Sequence, residues 1–172
     1  MSRYVIDFQG FQSDKSYVIK ELTIVNVDTE EIIHCLAKPP FSSDLLTENE
    51  SKCMDFLQLH YHKIHWDAGT MDYHEMFSIM RKTISDARII YVKGSERASF
   101  LRKTTSKFIM DLDQMECPKA KNLPASYLHE KVLCSYPTHE RSIPAKGKGI
   151  CSLDQALKFT RWIRDLGEDV VG

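Results

Sequence analysis

No apolar run in this chain approaches the roughly 18 residues that a membrane helix needs. Its first residues, "MSRYVIDFQGF", lack the basic stretch, apolar core and small-residue cleavage site of a secretory signal. The expectation is a protein of the cytoplasm, or of the nucleus, with no membrane contact. Net charge is also nearly absent: 23 Lys and Arg stand against 24 Asp and Glu, a formal −1, so the whole molecule exerts no strong pull on nucleic acid. Cysteine is sparse and odd in number, at positions 35, 53, 117, 134 and 151, which excludes a dense disulfide framework and leaves thiols or metal ligands. There is no internal repeat and no low-complexity tract.

What is present is ordinary globular sequence, 42% hydrophobic and 27% charged over 172 residues, enough for a single domain spanning 1–172 with a proper core. Three β-rich runs open it: "RYVIDF", the long β-branched "YVIKELTIVNV", and "EEIIHCLAKPPF", which stops at Pro39-Pro40. The turn-forming "QSDKS" and "DTE" between them predict an antiparallel meander. Met54, Leu57, Tyr61 and Ile64 then recur at helical intervals behind Thr47 or Asn49 as a cap, and Met76, Phe77, Met80 and Ile84 behind Asp72. "HWDAGT" between them reads as a loop. "ARIIYVKG" reads as a buried strand ended by Gly94, "ASFLRKTTS" as a short helix and "KFIMDLDQM" as a strand. Residues 117–149 are irregular. A last helix, "SLDQALKFTRWIRDL", places Leu153, Ala156, Leu157, Thr160 and Ile163 on one face and is expected to end at Gly167. An antiparallel trio followed by alternating helices and strands implies an α/β mixed sheet with helices on its faces.

The irregular segment carries the strongest chemical pattern: Cys134, four residues, His139, eleven residues, then Cys151 at the start of the last helix. Two thiolates and an imidazole are ligands that Zn2+ prefers, and a structural site wants a fourth. Metal binding would also offset the chain entropy of a long loop with little apolar content. The competing reading is two buried thiols and a surface histidine. Spacing leaves the fourth ligand open between His129, Cys117 and Glu21, the last being a carboxylate inside the strand run "VIKELTIV", where it must be paired, solvated or metal-bound.

Asp7 ends an apolar run and heads a second group. Glu96, Asp111, Asp113 and Asp154 also fall at strand or helix ends, and several carboxylates around paired Mg2+ ions would support phosphoryl transfer. "HYHKIHW" offers His60, His62 and His65, but two-residue spacing at a helix end makes packing the stronger reading. Between Arg81 and Lys107, eight Lys or Arg oppose Asp86 and Glu96. That excess suits either a solvated helix face or phosphates, with Lys93, Arg97 and Arg102 as the RNA-binding candidates.

Taken in order, "IDFQG", "VIKEL", "EIIHC", "VKGSER", "FIMDL" and "CSYPTH...GICSLDQAL" resemble the exonuclease domain of arenavirus nucleoproteins and, more distantly, the Maelstrom domain. Both belong to the DEDDh branch of ribonuclease H-like nucleases. The resemblance spans nearly the whole chain and implies a ribonuclease H-like mixed sheet, antiparallel β1-β2-β3 followed by β4 and β5, with a zinc-clipped C-terminal segment. It makes Glu21 the fourth ligand beside Cys134, His139 and Cys151, around a structural Zn2+. The catalytic set transfers poorly. Asp7 matches the first acid, but Gln9 stands at the second, Glu96 near the next and Gln155 at the last, with Asp154 one residue away. Ile150 replaces the general-base histidine. The resemblance therefore implies a degenerate exonuclease fold, binding single-stranded RNA or a protein partner in RNA metabolism or transposon silencing. The alternatives are an atypical 3′-5′ exoribonuclease using Mg2+ or Mn2+, and a scaffold that binds protein alone.

Overall fold

The β-branched runs pair as a meander. In the computed structural model, which describes residues 1–13, 16–128, 132–141, 143 and 148–171, strand β1 (Ser2–Gln12) lies antiparallel to β2 (Tyr17–Asn26), and β2 antiparallel to β3 (Ile32–Leu36). Strand β4 (Ala87–Val92) runs parallel to β1 on its other side, and β5 (Ile109–Asp111) parallel to β4. The sheet order is β3-β2-β1-β4-β5.

Among the described residues four α-helices flank this mixed sheet: α1 (Glu48–His60), α2 (Tyr73–Thr83), α3 (Ser95–Thr104) and α4 (Ser152–Val171). One sheet face packs Ile6, Phe8, Ile24 and Ile90 against Met76, Met80 and Ile84 of the α2 segment and Ala98 and Leu101 of α3. The opposite face packs Val5 and Val25 against Ala156, Phe159 and Ile163 of α4. Because both faces are covered, the central strands are buried almost throughout, which is why β1 and β2 read as near-continuous apolar runs. A third cluster, Phe11, Val18 and Trp66, takes Met54 and Leu57 of α1.

Several boundaries differ from the sequence pattern. Strand β3 is shorter than "EEIIHCLAKPPF" because the chain turns away after Leu36, where Lys38 N–H donates to Met71 instead. Helix α1, capped by Thr47 with Glu50 rather than by Asn49, ends at His60; Lys63 adopts φ 55°, and Ile64 is buried from a loop rather than from the helix. Strand β5 stops after three residues because Asp111 caps a short 3-10 turn by accepting from Asp113 N–H. Helix α4 continues through Gly167 to Val171: Gly167 lacks the positive φ of a helix-ending glycine, and helical glycine costs only about 1 kcal/mol relative to alanine. Among the described residues no helix is long and apolar enough to cross a membrane.

Candidate metal centre and the neighbouring cleft

Strand β2 carries an irregularity where it passes β1. Gln9 pairs with Glu21, yet Gly10 pairs with Ile19, so Lys20 is an extra residue in the ladder. Such a bulge bends the strand and re-aims its side chains. Lys20 is fully buried and donates to the carbonyls of Ala37 (2.6 Å) and Ala68. Glu21, also fully buried, points to the start of α4, where Ser152 N–H donates to its Oε1 at 2.6 Å.

The other carboxylate oxygen is the hub of the site. Glu21 Oε2 lies 3.3 Å from His139 Nδ1, 3.3 Å from Cys134 Sγ and 3.7 Å from Cys151 Sγ, and Cys134 Sγ lies 3.6 Å from His139 Nδ1. All four donor atoms fall within 4.8 Å of one another. On a tetrahedral zinc, with bonds of about 2.0 Å to N or O and about 2.3 Å to S, donors stand about 3.3 Å apart for an N–O pair and about 3.5 Å where sulfur is included. The observed edges match that figure, so this cluster can hold a metal ion, and Zn2+ suits its donors. Glu21 is the fourth member. Cys117 is instead buried in the α4 face of the core, and His129 lies outside the described residues.

Local structure holds each donor in place. His139 ends a 3-10 turn, Pro137–His139, and its Nε2–H donates to the His62 carbonyl at 2.6 Å, which leaves Nδ1 facing the other donors. Gly149 is needed here: a Cβ would come within 2.2 Å of that carbonyl oxygen and 2.9 Å of the His139 ring. Cys151 immediately precedes the first turn of α4, which fixes its place beside Glu21.

The electrostatics show a pocket short of positive charge. Hydrogen bonding to Cys151, then to His139 and His34, draws the Cys134 thiol down to about 4 against the effect of burial, while its partner Cys151 is pushed up, so the pair keeps one proton. Burial alone would raise Glu21, but hydrogen bonds from His139 and His34 hold it well below the ordinary carboxylate range. Burial opposes charge on His139, yet its bonds with Cys134 and Glu21 raise it to about 10. The anionic donors recruit protons onto the neighbouring imidazoles, and a divalent cation would supply the same charge.

The chain matches no protein-family model and no curated protein.

Beside it, a cleft of about 560 Å³ opens between the end of β1, Tyr17, Tyr61 and α3, with Gln9, Glu96, Arg97 and Phe100 in its walls. Asp7 lies at 0% exposure, and neither carboxylate oxygen has a hydrogen-bond partner among the described residues. Burial pushes its carboxyl up to about 7, only partly opposed by Arg97, and Glu21 adds to the rise. Arg97 Nε is 4.0 Å from Asp7 Oδ1 and donates to the Phe8 carbonyl at 3.2 Å. Gln9 Nε2 approaches Gln155 Oε1 at 3.5 Å, so the two amides meet across β1 and α4.

Of the remaining acids of the sequence pattern, Glu96 lies on the cleft wall and the others are engaged by partners of their own. Asp154 is turned into ion pairs with Arg141 (3.1 Å) and Lys148 (2.7 Å), as expected when one residue of helix rotates a side chain by about 100°. Glu96 is exposed in the first turn of α3. Asp111 accepts from Gly94 and Asp113 N–H, and Asp113 pairs with Lys93. Ile150 contributes a backbone N–H to the Tyr61 carbonyl. Mg2+ is octahedral, keeps several waters and is held through one or two carboxylates, and a pair of such ions needs that set twice or shared between them. Buried Asp7, exposed Glu96, an amide pair and a guanidinium supply fewer carboxylates than a Mg2+ or Mn2+ pair needs.

The three proposed RNA-binding cations are engaged within the chain. Lys93 donates to Asp113 and the Cys117 carbonyl, Arg97 faces Asp7 and Phe8, and Arg102 donates to the Ile109 carbonyl at 3.2 Å. The histidines of "HYHKIHW" separate, as two-residue spacing predicts: His60 and His65 are exposed, and buried His62 makes a 3.0 Å bond to the Gly10 carbonyl. The sequence pattern passes over His34, whose Nε2 lies 2.9 Å from Glu21 Oε2. The available signal is its place in β3 opposite Thr23, one alternation step from Glu21 on the pleat.

Proposed function

We propose that this chain is a zinc-stabilised domain of the ribonuclease H-like exonuclease class that has lost metal-dependent nuclease chemistry. It serves as a binding module for RNA or a protein partner in RNA metabolism or transposon silencing. The antiparallel β1-β2-β3 set followed by β4 and β5, and the Glu21, Cys134, His139 and Cys151 cluster, support the class. One observation carries the loss of chemistry: the Gln9–Gln155 amide pair beside Asp7, with Arg97 next to that buried acid. Neutral amides lower the affinity for a divalent ion, and the guanidinium already supplies a positive charge. Ile150 offers no side-chain proton acceptor for an attacking water.

The test incubates purified, zinc-loaded protein with single-stranded RNA and Mg2+ or Mn2+. The expected result is no cleavage above a buffer control, with salt-sensitive RNA retention if the partner is RNA. Cleavage abolished by Asp7→Ala would overturn the proposal in favour of an atypical 3′-5′ exoribonuclease. Failure to retain RNA, together with no cleavage, would leave the protein-binding scaffold.

A further inference from the structure

Four donors complete a tetrahedron, yet a fifth candidate stands at its edge. His34 Nε2 is 2.9 Å from Glu21 Oε2 and 3.8 Å from Cys134 Sγ, and its side chain is 16% exposed. The first distance decides its role. Two ligands sharing one zinc sit about 3.3 Å apart when they are N and O, whereas 2.9 Å is the length of an N–H···O hydrogen bond. His34 therefore donates to the carboxylate rather than competing with it for the ion.

That donation matters because Glu21 has two oxygens and only one faces the other donors. Ser152 N–H holds Oε1 at 2.6 Å, and His34 holds Oε2 from the strand side. The carboxylate is gripped at both ends and cannot rotate to a different denticity without breaking a bond. Two thiolates and a carboxylate also bring three negative charges to a doubly charged ion, and a donor N–H at the anionic edge offsets part of the excess. The location is selective too. Glu21, His139 and Cys151 are buried, while Cys134 is half-buried and lines a surface cleft of about 260 Å³. His34 borders Cys134, the most exposed of the four ligands.

We propose that His34 is a positioning residue of the metal centre, orienting Glu21 Oε2 toward the ion and setting how tightly the ion is held at its exposed edge. The proposal rests on the zinc reading above, but the experiment separates the two. Zinc content and chelator competition are measured on the full chain for wild type, His34→Ala, His34→Gln and, as a control at an exposed histidine, His65→Ala. Co2+-substituted protein is examined by absorption spectroscopy in parallel.

The expected result is one metal per chain in every variant. His34→Ala should lose about 10- to 100-fold in affinity, the range typical of lost outer-shell partners. His34→Gln, whose amide N–H reaches the same place as Nε2–H, should recover most of that loss, and His65→Ala should match wild type. The Co2+ thiolate charge-transfer bands should keep their intensity in His34→Ala. Unchanged affinity in His34→Ala overturns the proposal. So does a Gln variant as weak as the Ala variant when both fold, or a His34→Ala Co2+ spectrum with altered ligand-field bands, which would make His34 a ligand. If His34→Ala does not fold, the Gln variant decides alone: affinity within about threefold of wild type is the expected result, and a larger loss overturns it. No metal in wild-type protein would instead defeat the zinc reading itself.

Discussion

At the scale of single residues, the buried charges divide into satisfied and unsatisfied ones. Lys20 and Glu21 are both at 0% exposure, and each is held by neighbours, two carbonyls for the lysine and a ring of donors for the acid. Asp7 is the exception, with no hydrogen bond to either oxygen among the described residues. Its folded carboxyl titrates near 7 against an ordinary value of 3.8, because burial penalises the anion. Between those pH values the native state holds a proton that the unfolded chain has released, so stability falls as pH rises through the interval and the full cost is present above 7. Asp7→Asn removes the titration. At pH 8 the variant should be more stable, by at most about 4 kcal/mol from 1.36 kcal/mol per pH unit, a figure in which the Arg97 attraction already offsets part of the burial cost. Below pH 3.8 the two proteins should be nearly equal. Urea unfolding of zinc-loaded protein at pH 4, 6 and 8 measures it, and a variant less stable than wild type at pH 8 would show that the Arg97 attraction outweighs burial. The sequence shows Asp7 as an acid at a strand position, and Gln9 and Gln155 as neutral residues. Their meeting across 146 positions, and the approach of Arg97 from α3, are tertiary facts that no local pattern encodes.

At the scale of elements, the bulge between β1 and β2 organises the site. Lys20 is the extra residue, Gly10 pairs with Ile19 next to it, and a Cβ on Gly10 would fall 1.9 Å from the Val18 carbonyl oxygen, which is backbone and cannot swing aside. Gly10→Ala should therefore push the strands apart and destabilise by about 2 kcal/mol or more. Its carbonyl also accepts from His62, whose own carbonyl orients His139, so zinc affinity should fall with stability. Gly94→Ala is the contrast: the space there is open, and only the φ of 102° opposes a side chain, so about 1 kcal/mol is expected with zinc binding unchanged. Chemical denaturation with chelator competition on both variants checks the pair. Hydrophobic periodicity makes the strands and helices legible, since covered sheet faces and amphipathic helices leave strong patterns. The bulge is not legible, because "VIKELTIV" alternates equally well with or without a skipped residue. The end of α1 is obscured for a related reason: Ile64 keeps the helical interval yet is buried from a turn.

For the molecule as a whole, the metal cluster joins parts of the chain that are distant in sequence. Glu21 belongs to the second strand, Cys134 and His139 to a segment with only a single 3-10 turn between them, and Cys151 to the foot of α4. Apart from the metal, α4 is held by its apolar face on Val5 and Val25, by the Ser152–Glu21 bond and by Thr23 Oγ1 with Ser152 Oγ at 2.8 Å. The described residues of the segment before it are held by polar contacts, among them Thr138 Oγ1 on the Lys63 carbonyl, the His65 amide on Tyr136, the Ile150 amide on the Tyr61 carbonyl and the pairs of Arg141 and Lys148 with Asp154. None of the segment's described residues belongs to the apolar clusters of the core. Chelation should therefore act unevenly. The 132–150 region should lose hydrogen-exchange protection first, while β1, β2 and β4 keep theirs, since their core does not depend on the ion. Global stability should drop as well, because an ion bound only by the folded state contributes its binding free energy to folding. Cys151→Ala should reproduce both effects without chelator and should bind well under one equivalent of Zn2+. Uniform loss of protection across all five strands would instead mean that the sheet cannot persist without the metal, making the ion a condition of the fold rather than a clip on its C-terminal third.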